Sequence, residues 1–103
     1  MDLKHEVTPL DLAILPLLPQ EGSMLGKYHP MGRRAKDIVT ELDDEFTNVH
    51  KVQSRLRVCK MNGLVIDVKG GADRIWQRTS KGDDLLRERG LLDEVATRRA
   101  EAV

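Results

Sequence analysis

Between Val49 and Lys60 the chain crowds hydrogen-bond donors around a narrow apolar stripe. Val49, Val52, Leu56 and Cys59 recur at spacings of three, four and three, the repeat of one helical face. His50, Lys51, Gln53, Ser54 and Arg57 occupy the remaining surface and form a candidate base-reading set. Lysine and arginine can donate to guanine O6 and N7, and glutamine can pair with adenine, each good pair giving about 1–3 kcal/mol of discrimination. Arg55 is expected to one side, toward a nucleic-acid backbone. The competing reading of the same residues is the solvated face of an ordinary surface helix. Arg33 and Arg34 open the preceding helix, where free amide N–H groups also favour an anion. Lys69, Arg74 and Arg78 lie on a following hairpin, suited to phosphate contacts that position a protein without reading sequence.

Other chemistries find little support. No nucleophile motif, phosphate-cradling glycine loop or His-Glu metalloprotease helix occurs, so catalysis is not expected. His5, His29 and His50 are scattered without ligand spacing, and there is one cysteine, so no metal or other cofactor is expected. Cys59 falls on the apolar stripe and reads as a packed thiol. A lone cysteine forms no internal disulfide, which makes a reducing, cytoplasmic compartment the default expectation.

The elements that must hold these groups belong to one domain, residues 1–103. A first helix is expected over residues 8–18. Thr8 is a capping residue, Pro9 suits the first helical position, and Leu10, Ala13, Ile14, Leu17 and Leu18 follow helical spacing. Leu12 and Leu15 make its other side apolar, which calls for a second partner, and Pro16 must kink or end it. Gly22, Ser23, Gly26, Pro30 and Gly32 mark residues 19–32 as loop. The second helix covers residues 33–42 with Ala35, Ile38, Val39 and Leu42 inward, and Asp43-Asp44-Glu45 closes it. The third covers residues 47–62, capped by Thr47 or Asn48 and stopped by Asn62-Gly63.

A β-branched run from Leu64, a Gly70-Gly71-Ala72-Asp73 turn and a return to Thr79 give a hairpin over residues 64–79. Alternation places Arg74, Trp76 and Arg78 on one side of the returning strand and Ile75, Gln77 and Thr79 on the other. Trp76 is expected to pack against the domain. Ser80 can cap a last helix over residues 80–103 bearing Leu85, Leu86, Leu92, Val95 and Ala96. Gly90 either breaks this helix or weakens it by about 1 kcal/mol.

The chain has 103 residues, of which 40% are hydrophobic and 33% charged, the balance of a folded globular protein rather than a disordered one. No apolar run approaches the roughly 20 residues of a membrane helix. Residues 10–18, broken by Pro16, do not read as a signal peptide, and no membrane partner is expected. The net charge is zero, yet Thr47 to Lys81 holds eight bases and two acids while the flanking segments are slightly acidic. Such a local basic field argues for an anionic partner. Tyr28, Phe46 and Trp76 are the only aromatics, too few to stack a series of unpaired bases, which counts against a single-stranded or RNA-binding reading.

Two stretches carry a family resemblance. Val52-Gln53-Ser54-Arg55-Leu56-Arg57-Val58-Cys59-Lys60-Met61-Asn62-Gly63-Leu64-Val65 resembles a recognition helix ending in x-x-G-L-V. Thr79-Ser80-Lys81-Gly82-Asp83-Asp84-Leu85-Leu86 resembles the L-T-x-x-G-x-x-L-L that follows a wing. In this order, with a hairpin between, residues 33–86 look like a winged helix-turn-helix domain, similar to the MarR and PadR groups of prokaryotic and phage regulators. The resemblance implies an α+β fold: a three-helix core, a hairpin wing and a C-terminal helix. It also implies sequence-specific binding of double-stranded DNA in transcriptional regulation, commonly as a dimer, without enzymatic activity. A homodimer would use helix one and the C-terminal helix and would mirror a palindromic operator. The chain departs from the family in two places. Arg78 stands where a leucine is usual, and the turn between the second and third helices is longer than usual. The alternative function is a winged-helix module that docks another protein, its basic face incidental.

Overall fold

The computed structural model describes residues 2–70 and 73–92. They form an α+β unit of four helices and one antiparallel hairpin. In chain order these are α1 (Pro9–Ile14), α2 (Ala35–Leu42), α3 (Val49–Met61), β1 (Val65–Gly70), β2 (Asp73–Arg78) and α4 (Ser80–Glu88).

Caps set most of the boundaries. The Thr8 N–H donates to Asp11 at 2.9 Å and the Thr8 hydroxyl accepts from the Asp11 N–H at 3.3 Å, a reciprocal box that starts α1. This helix is shorter than residues 8–18. Pro16 has no N–H for the Leu12 carbonyl, so the chain tightens into a 3-10 turn over Leu15–Leu17. The second helix also starts later than expected. Arg34 is its extended N-cap, and Arg33 pairs as a strand with Trp76 through bonds of 3.2 and 2.9 Å. It ends at Asp43, which takes a left-handed φ of 47°. The Asn48 side chain accepts from the Lys51 N–H at 2.9 Å and begins α3. Gly90, with φ 69°, follows the end of α4, so it breaks the last helix. Residues 93–103, including Val95 and Ala96, lie outside the described residues.

The core gathers Ile14 from α1, Leu15 from the 3-10 turn after it, Ile38 from α2, Val52 and Leu56 from α3, and Leu85 and Leu86 from α4, all essentially inaccessible to solvent. Leu15 is therefore spent inside the domain, while Leu12 packs against the core half-buried. Strands β1 and β2 pair with Asp67 opposite Trp76 and Lys69 opposite Arg74. One hairpin face turns Val65, Trp76 and Arg78 inward.

The other face is covered by the loop after α1, which is itself a small hairpin. Within it the Leu25 N–H donates to the His29 carbonyl at 2.7 Å and the Met31 N–H to the Ser23 carbonyl at 2.9 Å. Gln77 clamps this loop. Its amide nitrogen donates to the Ser23 and Met31 carbonyls at 3.1 and 2.7 Å, and its oxygen accepts from the Gly22 N–H at 3.2 Å.

The two motif stretches meet where β1 begins. The Thr79 hydroxyl donates to the Gly63 carbonyl at 2.6 Å and accepts from the Gly82 N–H at 3.2 Å, while the Thr79 N–H donates to the Leu64 carbonyl at 3.0 Å. A Cβ on Gly82 would stand 2.5 Å from that Leu64 oxygen, so only glycine lets α4 approach this closely.

Candidate nucleic-acid interface

An α-helix turns roughly 100° per residue. With Val52, Leu56 and Cys59 buried, the outer side of α3 therefore presents His50, Ser54 and Arg57, all exposed. Gln53 and Lys60 turn toward the hairpin; Lys51 and Arg55 turn toward the opposite flank. Between α3, the start of α2 and the hairpin lies a cleft of about 360 Å³. It is lined by Arg34, Ala35 and Lys36, by Val49, Gln53 and Arg57, and by Arg74 and Trp76. Four cations and no carboxylate form that lining. The head groups of Arg57 and Lys36 make no hydrogen bond or ion pair with any described residue.

Neighbouring acids hold the other cations in place. Asp67 on β1 takes Lys60 of α3 at 2.6 Å on one oxygen and Arg74 of β2 at 3.2 Å on the other. The Lys60 hydrogen bond is the main reason its carboxyl titrates below the ordinary carboxylate value. The Arg74 guanidinium also lies 6.0 Å from the centre of the Trp76 ring. Trp76 is only 4% exposed, so it offers no ring face to a base. At the start of α2, Arg34 grips Asp37 through bonds of 3.0 and 3.1 Å and thereby lowers the carboxyl's pKa.

Several expected contact residues sit elsewhere. Arg55 does not face outward: its guanidinium binds the buried Asp11 carboxylate through bonds of 2.7 and 2.6 Å and the Glu6 carbonyl at 3.1 Å. The Asp11 hydrogen bonds hold its pKa above the usual arginine value. Arg78 is interior at 7% exposure. It pairs with Asp83 and donates to the Leu15 carbonyl at 3.0 Å, while Gln20 holds the second Asp83 oxygen at 3.1 Å. Alternation put Arg78 on the Trp76 side, and that side is the inward one. The buried guanidinium is thus neutralised by an acid beside it.

Arg33 lies before α2 rather than at its first turn and pairs with Glu41 at 3.1 Å. The Lys51 amine donates to the Phe46 carbonyl at 2.6 Å, on the flank away from the hairpin. Lys69 stands opposite Arg74 in the ladder, but its side chain lies outside the described residues.

The structure thus brings Arg34, Gln53, Arg57 and Arg74 together at one cleft, with His50 and Ser54 on the adjoining face. It takes Arg55 and Arg78 into internal ion pairs. Lys36 and Asp67 were missed. Lys36 is signalled only once α2 is known to begin at Ala35, which turns the second residue of the helix toward the cleft. Asp67 was visible as the lone acid in an otherwise β-branched run. Cys59 is fully buried, and burial pushes its thiol up to about 12.

Comparison with protein-family models, curated proteins and solved structures found no match. No helix among the described residues is long and apolar enough to cross a membrane.

Proposed function

We propose that the protein is a sequence-specific double-stranded DNA-binding transcriptional regulator of winged helix-turn-helix type. In this reading α3 is the recognition helix and enters the major groove with His50, Gln53, Ser54 and Arg57 toward the bases. The β1–β2 hairpin is the wing, and Arg74, Arg34 and Lys36 face the phosphates alongside. One observation carries the reading: the outer side of α3, the start of α2 and the hairpin converge on a single cleft with four cations and no acid in its lining. A titration of labelled mixed-sequence duplex at two salt concentrations tests it, followed by selection of bound sequences. Affinity must fall steeply with salt if several phosphates are engaged.

The protein would act as a homodimer through α1 and the C-terminal segment, matching a two-fold operator. Leu10 and Leu12 of α1, with Leu92 and the 47%-exposed Leu91, are partly uncovered apolar side chains among the described residues there. Sedimentation of the free protein and of its DNA complex tests that assembly.

The protein-docking reading has its own support in the small hairpin after α1. Met24, Leu25 and Tyr28 stand 48%, 72% and 77% exposed on it. Duplex binding that is absent, or that does not respond to salt, would favour it.

A further inference from the structure

Asp67 is an acid placed behind Arg74, which the DNA reading assigns to phosphate, and behind Lys60 beside it. It is 22% exposed, whereas Lys60 and Arg74, which it holds at 2.6 and 3.2 Å, are 52% and 59% exposed. The two cations come from different elements, one from α3 and one from β2. The carboxylate therefore ties the helix to the hairpin and at the same time neutralises charge at the rim of the cleft. Ion pairs this exposed are weak, so a phosphate brought close can displace the carboxylate. A cation already paired to an acid gains little from a phosphate that merely drifts past.

We propose that Asp67 is a specificity-determining residue: it withholds Lys60 and Arg74 from the backbone of random duplex and yields them only where α3 is seated on its preferred sequence. This rests on the DNA-binding reading. It makes the acid a restraint on non-specific affinity rather than a contact in its own right, because a carboxylate beside phosphate repels it.

The test is fluorescence polarisation of a random-sequence duplex over a salt series, with wild type, Asp67→Asn, Asp67→Thr and Asp67→Glu. Threonine suits a strand and guards against loss of folding in the asparagine variant. Removing the carboxylate should tighten random-duplex binding about tenfold at low salt and steepen the slope of log K against log salt by about 1 to 2, near 0.9 per phosphate newly engaged. Asp67→Glu should keep the wild-type slope. A purely structural role for Asp67 would weaken binding and leave the slope unchanged. Wild type that binds with a salt-dependent affinity, while the asparagine and threonine variants bind no tighter and no more steeply, overturns the proposal and leaves the DNA reading standing. Absence of salt-dependent binding by every form overturns both.

Discussion

Arg55 of α3 and Asp11 of α1 are joined by two hydrogen bonds of 2.7 and 2.6 Å, and the same carboxylate closes the capping box of α1 on Thr8. One buried acid thus starts one helix and fixes the roll of another. That roll decides which side chains of α3 face outward. With Arg55 anchored inward, Arg57 and His50 must lie on the open side and Gln53 beside the hairpin.

Breaking this pair should cost folding stability rather than DNA contacts. Asp11 is fully buried, and removing one partner of such a pair typically costs 3–5 kcal/mol because it strands the other charge. Arg55→Ala should therefore lower the unfolding free energy in urea by about 3 kcal/mol. The salt slope of any duplex binding should match wild type, since Arg55 reaches no phosphate.

Gly82→Ala should be among the most damaging glycine substitutions, because its Cβ would press on the Leu64 carbonyl at 2.5 Å. Shifting the helix away from β1 should cost about 2–3 kcal/mol. Gly26→Ala is the control. Nothing lies within 4 Å of its Cβ and its backbone needs no left-handed angle, so its effect should stay within about 0.5 kcal/mol. Thermal or urea unfolding of the two variants decides this.

The helices and the hairpin were legible because apolar spacing and caps are local signals. Val52, Leu56 and Cys59 lie on one face, and Gly63 stops the helix they define. What sequence spacing could not show was where each cation would find an acid. Arg55 pairs with a residue 44 positions earlier, and Lys60 with one across the next turn of chain. The basic block between Thr47 and Lys81 therefore looked freer than it is: Arg55, Lys60, Arg74 and Arg78 all form ion pairs. The small hairpin at Ser23–Met31 was hidden as well, because Gly26 and Pro30 read as loop while Gln77, which clamps it, comes from a distant strand.

Acid should loosen the contact between α3 and the hairpin. The Asp67 and Asp37 carboxyls titrate below the usual 3.8, held down first by Lys60 and by Arg34. Each binds fewer protons folded than unfolded. Their stabilisation is fully present above the unfolded pKa and is lost as pH falls through the lower folded value. Asp67→Asn should thus lower stability at about pH 6 and converge with wild type near about pH 2. Urea midpoints at the two pH values check this, and an equal difference at both would contradict it.

Cys59 should be silent to thiol reagents in the folded protein. It is fully buried and its thiol is pushed up to about 12, so little thiolate exists at neutral pH. Reaction with a disulfide reagent should proceed only at the rate at which the chain opens, and should become rapid in urea.

The most direct measurement concerns Arg57, whose head group makes no hydrogen bond or ion pair with another described residue at the centre of the proposed DNA face. Once a preferred duplex has been selected, Arg57→Ala and Lys51→Ala should be titrated against it and against random duplex. Arg57→Ala should weaken the selected site by about 1–3 kcal/mol, and more than it weakens random duplex. Lys51→Ala, on the far flank of α3, should have the smaller effect on that difference. Equal losses on both duplexes for both variants, or wild type that shows no salt-dependent duplex binding, would contradict the placement of α3 in the major groove.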